Sequence, residues 1–417
     1  MDFIKKYQKE KRFCLCCNCS VYVAKNGSKA AKEVWEKISR IVHALVLKLR
    51  KLNLPTREHL GNMRKYYIDN MRWIIILLLI PYHAAMAWNI WGEPTYIYFE
   101  SNKTISSIVV FFSPYLMPLM FLIAGVSTRL ALQKRTIGQY VLERAKKLLI
   151  PFVFGTILIM PFMTYIADKF NCGYQGDLFQ HYAIFFTKFT DLTGADGGFS
   201  VGQFWFILYL FLISLIAIGI ISLQRKIMRQ KDADIPLILI CLWGLPLPFL
   251  SELLSTGGKS LAEFTYIFLV GYYIFSNDDV ISKVEKYKWI FLGIGLSATV
   301  CNVYMFIWSD TQHTLLNMTA KYISEWFMIN ALFGIGKKYL NFNGEVSKYL
   351  SKRSYTFYIF HFIWLVLFQY LLFNICSSNI ILLYVLPVLL AYGATLLCCE
   401  ICNRGQSAMS RGNRQGK

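Results

Sequence analysis

Charged side chains are scarce in this 417-residue chain: Asp, Glu, Lys and Arg make up 16% of it, against an apolar share of 56%. Soluble domains run near ~25% charged and ~45–50% apolar, so a water-soluble globule is excluded, and so is a disordered chain. Acid is the scarcer sign, with 24 Asp+Glu against 44 Lys+Arg and a formal charge of +20. The chain also lacks a P-loop, a dinucleotide-binding glycine fingerprint and an H-E-x-x-H helix, which removes the usual sequence signs of nucleotide and zinc chemistry. No early apolar run follows Met1-Asp2-Phe3-Ile4-Lys5-Lys6, so no cleaved secretory signal is expected.

What the chain has is long stretches without charge. A transmembrane helix takes roughly 20 mostly apolar residues. Charge is absent from Trp73 to Gly92, Thr104 to Thr128, Leu148 to Ala167, Gly197 to Gln224, Ile235 to Ser251, Phe264 to Asn277 and Trp289 to Ser309. An eighth stretch, Leu315 to Gly336, carries only Lys321 and Glu325. The last, Ser354 to Cys399, has 46 residues, and the polar break at Asn374–Asn379 divides it into two spans. The expected fold is an all-α polytopic membrane protein, a bundle of about ten transmembrane helices.

Lysine and arginine orient it, because cytoplasmic loops retain them. The first 71 residues carry 16 Lys+Arg, and the loops on that side, 129–147, 225–234, 278–288 and 337–353, carry 18 more. Across the bundle stand Lys103, Lys169, Lys188, Lys259 and Lys321. The basic tail returns to the N-terminal side, so both termini are expected in the cytoplasm. Three regions follow: a basic cytosolic N-terminal segment (1–63), a transmembrane domain (64–401) and a basic cytosolic tail (402–417). In the first, Val34, Trp35, Ile38, Ile41, Val42, Leu45 and Leu49 recur at helical spacing among basic residues. Such an amphipathic helix suits either the anionic lipid interface or the cytosolic face of the bundle.

Of the eleven cysteines, Cys14, Cys16, Cys17 and Cys19 cluster within six residues. Structural zinc sites usually join two separated pairs, so no metal site is expected there, and the cluster reads as reduced cytosolic thiols. Neither a cofactor nor nucleic-acid binding is expected.

Buried ionisable groups carry the chemistry. Of six histidines, His43 and His59 fall in the cytosolic segment, His181 and His313 in external loops, and His83 and His361 well inside spans. A polar side chain in hydrocarbon is costly unless it faces the bundle interior or water, which marks it as functional; the plain alternative is a hydrogen bond to a neighbouring helix. His83 stands eleven residues after Arg72, 20° past three full turns, so the two share a helix face roughly 16 Å apart. His361 stands eight residues after Arg353, roughly 12 Å in from the same side. A cytosolic arginine beneath a buried imidazole suits a long anionic ligand with its reactive end threaded to mid-membrane. Arg129, Arg144, Lys146 and Lys147 crowd the same cytosolic edge, where they serve either phosphate binding or topology alone. Asp69, one turn before Arg72, reads as a helix cap or an arginine partner.

Arg64-Lys65-Tyr66-Tyr67-Ile68-Asp69-Asn70-Met71-Arg72 and Ile80-Pro81-Tyr82-His83 resemble the first helix of the acyltransferase family 3 membrane proteins, closest to the glucan-biosynthesis succinyltransferase branch. Further matches follow in register at Met117–Gly125, Arg144–Pro151, Phe204-Trp205-Phe206, Phe268–Tyr272 and Ser354–His361. Ala124 stands where that family often has serine, and Gln203 where it often has histidine. The resemblance implies an enzyme that takes an acetyl or succinyl group from cytosolic acyl-CoA and passes it to a hydroxyl of an extracytoplasmic glycan or similar acceptor at the plasma membrane. His83 would then be the general base, a role a neutral imidazole suits near pH 7. Arg72 would orient the donor, Arg144, Lys147 and Arg129 would meet its phosphates, and Trp205, Gln203, Tyr358 and His361 would line the cavity. A proton-coupled secondary transporter is the rival expectation, since intramembrane histidines and Pro81, Pro118, Pro161, Pro246 and Pro248 suit one; no sequence repeat between the halves supports it.

Overall fold

The computed structural model describes residues 65–92, 96–190, 192–227, 235–309, 314–376 and 379–415. The amphipathic stretch from Val34, the Cys14/Cys16/Cys17/Cys19 cluster, His43, His59, Arg229 and His313 lie outside the described residues. The described chain is mainly helical, with one antiparallel pairing of Ser255–Thr256 and Lys259–Ser260. In order the helices are α1 (Tyr66–Met86), α2 (Lys103–Phe112), α3 (Leu116–Lys134), α4 (Ile137–Arg144), α5 (Ile150–Phe154), α6 (Met160–Asn171), α7 (Leu178–Thr187), α8 (Trp205–Ile227), α9 (Leu237–Leu242), α10 (Leu247–Leu250), α11 (Leu261–Tyr273), α12 (Asp278–Lys286), α13 (Lys288–Val303), α14 (Thr314–Tyr339), α15 (Glu345–Cys376) and α16 (Ile380–Gln415). Wide π-turns at Ala145–Leu149 and Gly155–Ile159 join α4, α5 and α6 into one rod.

Six helical runs are long and apolar enough to cross a bilayer by length and composition: Lys103–Lys134, Ile137–Asn171, Gly202–Gln224, Lys288–Trp308, Glu345–Phe373 and Ile380–Arg404. The other four charge-free stretches are helical too, but each is short or carries polar groups. Asp69, Asn70, Arg72 and His83 interrupt α1, and Lys321 and Glu325 interrupt α14. The stretch Leu237–Leu250 holds two short helices, and α11 has 13 residues.

Prolines shape these rods, and tyrosines repair them. A proline inside a helix leaves the carbonyl four residues earlier without its amide partner, a serious loss in hydrocarbon. Before Pro81, the Leu77 carbonyl accepts the Tyr392 hydroxyl of α16 at 2.7 Å. Before Pro161, the Ile157 carbonyl accepts the Tyr182 hydroxyl of α7 at 2.8 Å. Before Pro151, the Lys147 carbonyl accepts the Tyr355 hydroxyl of α15. Each tyrosine therefore ties one helix to the weak point of another. Tyr392→Phe is expected to cost about 1 kcal/mol, read as a lower melting temperature in detergent; unchanged melting would show that the Leu77 carbonyl needs no such partner.

Helix α3 lies against α11 through glycine. A Cβ at Gly125 would stand 2.0 Å from the Phe268 carbonyl oxygen, and one at Gly271 would stand 2.2 Å from that of Leu122. Small residues let helix backbones meet this closely. Helix α1 packs among α15, α2, α16 and α3, with α14 against its N-terminal half, so the rod bearing Arg72 and His83 is central to the bundle.

Candidate active site

Three pieces of chain bring polar groups to one depth. The first is the end of α1 with His83, past the Pro81 break. The second is α15, where Tyr358 and His361 lie one turn apart. The third is the 3-10 turn Gly202–Phe204 that opens α8 and carries Gln203. Gly202 has φ +45°, and a Cβ there would stand 2.3 Å from the Tyr96 hydroxyl, so glycine lets this turn sit under the Tyr96 loop.

The rings of His83 and His361 meet with centroids 5.5 Å apart. Phe362 stacks on His83 at 4.2 Å, and Tyr96 closes over Phe362 at 5.3 Å. The Tyr358 hydroxyl donates to the Gln203 backbone carbonyl, pinning α15 to the 3-10 turn. Gln203 and His361 are buried. Among the described residues, His83 Nδ1, His361 Nε2 and both amide atoms of Gln203 are buried without a hydrogen-bond partner. Each such atom costs about 1–3 kcal/mol, an expense that a structural core avoids and that a ligand's polar groups would offset.

Below, at the end of α1 that holds Arg72, three guanidinium groups gather on one turn of α3. Arg72 donates to Ser127 Oγ at 3.0 Å and to Asp69 Oδ1 at 3.1 Å. Arg144 donates to Thr128 Oγ1 at 3.1 Å and lies 4.9 Å from the centre of the Tyr140 ring, whose hydroxyl is 2.8 Å from the same Thr128 oxygen. Arg129, the next residue of α3, is buried with its guanidinium 5.3 Å from the Tyr272 ring of α11. Each is a permanently charged fork held near one turn of α3, of the kind that binds an anion with several oxygens, such as a phosphate.

The other expected positions fall elsewhere. Lys147 points outward and pairs with Glu143 at 2.6 Å. Trp205 sits among Phe121, Phe264 and Tyr209, with the Lys259 ammonium 5.3 Å from its ring; no ring contact with either imidazole occurs among the described residues. Arg353, beneath His361 in sequence, is held by Glu400 of α16 through Nε at 2.5 Å and a second nitrogen at 3.1 Å. His181 is buried in α7 with Nε2 3.4 Å from Asp168 Oδ2, and burial pushes its pKa below the ordinary value. Ser127, Thr128, Tyr140 and Phe362 were not singled out from sequence. Their signal was position alone: two hydroxyls directly before Arg129, a tyrosine one turn before Arg144, and an aromatic ring directly after His361.

A comparison with curated proteins finds no match. A comparison with solved structures likewise finds none. The family model described as an acyltransferase domain matches residues 65–404, which include α1 with Arg72 and His83, the arginine cluster and α15. The chain therefore belongs to acyltransferase family 3, a family of enzymes that transfer acyl groups other than aminoacyl groups, and it is a membrane acyltransferase.

Proposed function

We propose that this enzyme is an O-acyltransferase of the plasma membrane, similar to the glucan-biosynthesis succinyltransferase branch. It moves an acetyl or succinyl group from cytosolic acyl-CoA to a hydroxyl of an extracytoplasmic glycan or similar acceptor. In this reading ten helices span the bilayer, residues 64–401 form the catalytic domain, and both termini are cytoplasmic.

The observation that carries the reading is the stack of two features in one bundle: two imidazoles with unpaired buried nitrogens, and three guanidinium groups at the Ser127–Arg129 turn of α3, one of them Arg72, about three turns before His83 on α1. A coenzyme A donor has this shape, with phosphates at one end and a thioester at the other. Arg72, Arg129 and Arg144 hold its phosphates. His83 takes the proton of the acceptor hydroxyl as that oxygen attacks the thioester carbonyl. The carbon–sulfur bond then breaks, and His83 returns the proton to the departing thiolate, so the step balances without a cofactor. The Gln203 amide, buried without a partner among the described residues, meets the carbonyl oxygen, and the apolar surround keeps water from the thioester.

Purified protein should transfer labelled acetyl or succinyl groups from coenzyme A to a glycan acceptor; no turnover with either donor would sink the reading. Mass spectrometry of surface glycans with and without the protein should show one ester of defined mass disappearing. Arg72→Ala is expected to raise the donor KM roughly 10-fold or more, as suits a lost charged hydrogen bond, with a smaller change in kcat. A KM at the wild-type value would remove Arg72 from the donor site. Single cysteines at Lys188 and Arg229 should be labelled from opposite faces; labelling from one face would overturn the span count.

A further inference from the structure

The two histidines are not equivalent, and the difference assigns them separate roles. His361 Nδ1 lies 2.7 Å from the backbone carbonyl of Tyr358, one turn earlier on α15. A carbonyl only accepts, so Nδ1 carries the hydrogen, and Nε2 of the neutral ring carries the lone pair. Tyr358 cannot easily withdraw that carbonyl, because its hydroxyl is engaged by the Gln203 carbonyl on a different element. His361 is therefore a ring of fixed tautomer, with a bare acceptor nitrogen buried in the site.

Its neighbour has the complementary need. His83 Nδ1 is also buried without a partner, and the two ring centres are 5.5 Å apart. Ring nitrogens stand about 1 Å off centre, so turning the His83 ring toward His361 Nε2 brings the two nitrogens to ~3.3 Å at closest approach, at the edge of hydrogen-bond reach. Phe362, stacked on His83 at 4.2 Å, keeps the His83 ring in plane during such a turn. One small rotation thus satisfies both orphaned atoms.

The geometry points to His361 as the positioning residue for the proposed base: His83 Nδ1–H donates to His361 Nε2, which leaves His83 Nε2 as the lone pair facing the acceptor hydroxyl. This rests on His83 being the base. During attack the hydroxyl proton moves to His83 Nε2, and the imidazolium so formed keeps its Nδ1–H on His361. When the carbon–sulfur bond breaks, the Nε2 proton passes to the thiolate, and His83 is neutral again. His361 neither gains nor loses a proton. It occupies the place a carboxylate holds in a hydrolase triad, but as a neutral acceptor, which is the less costly partner to bury in a membrane.

The test compares His361→Leu with His361→Gln in purified protein, alongside His83→Ala. Leucine removes the acceptor, whereas glutamine offers a carbonyl oxygen. His361→Leu should lower kcat roughly 10²-fold, at the low end of what an acid–base group contributes, with the donor KM within about twofold. His361→Gln should recover at least roughly tenfold of that loss. Wild-type kcat in His361→Leu would overturn the assignment, as would equal loss in both variants or a change confined to KM. Full activity in His83→Ala would instead defeat the acyl-transfer reading of His83 itself. Each variant is scored only if it elutes as wild type in detergent, and should His361→Leu fail there, no rescue by His361→Gln over His361→Ala overturns the proposal by itself.

Discussion

His83→Ala is expected to reduce acyl transfer by roughly 10²–10⁴-fold, the range a positioned acid–base group contributes, while leaving the donor KM close to wild type. The side chain lies at the far end of α1 from Arg72, beyond the Pro81 break, so its removal leaves the arginine surface untouched. The folding consequence is mild, because among the described residues the His83 side chain makes no hydrogen bond that its loss would orphan; it gives up the stacking on Phe362 and the contact with His361. Removing a buried polar atom that lacks a partner even offsets part of the lost packing. Melting in detergent should therefore stay within a few degrees of wild type. The informative measurement is single-turnover transfer from labelled acyl-CoA. If His83→Ala transfers at the wild-type rate, proton abstraction belongs to another group.

Gly271→Leu and Gly125→Leu are expected to abolish accumulation of folded protein. The added Cβ at either site would lie about two-thirds of a normal contact distance from a backbone carbonyl oxygen, 2.2 Å at Gly271 and 2.0 Å at Gly125. A flexible side chain could swing aside, but the obstacle is helix backbone, and α3 and α11 would have to separate along their length. Overpacking of a tight interior commonly costs about 1–3 kcal/mol and more where backbone must move, against a total stability of about 5–15 kcal/mol. Separation would also draw Tyr272 away from Arg129, so surviving protein should bind donor weakly. The control is Gly293→Leu on α13, where a Cβ meets nothing within 4 Å; it should behave as wild type. Size-exclusion profiles of the three variants decide the matter, and a monodisperse Gly271→Leu would show that this interface is looser than the backbone geometry requires.

Composition alone determined that the chain lives in a bilayer, because solvent choice depends on bulk charge and apolar content rather than on where residues meet. Helical period alone determined that Arg72 and His83 share a face of one rod, since 3.6 residues per turn fixes faces within a helix before any tertiary contact forms. The helices fall on the charge-free stretches for the same reason. Tertiary structure decided what the rods do to one another. His83 and His361 are 278 positions apart in the chain, and nothing local says that their rings touch or that the Tyr358 carbonyl fixes one tautomer. Arg353 and Lys147 carry the same charge as Arg72 and Arg144, yet Glu400 and Glu143 hold them elsewhere, a difference invisible to a count of basic residues. The repair of Pro81, Pro151 and Pro161 by Tyr392, Tyr355 and Tyr182 follows the same logic. Each proline announces a missing hydrogen bond in sequence, but which helix supplies it depends on packing between nearly uniform apolar surfaces, and that is settled only when the whole bundle closes.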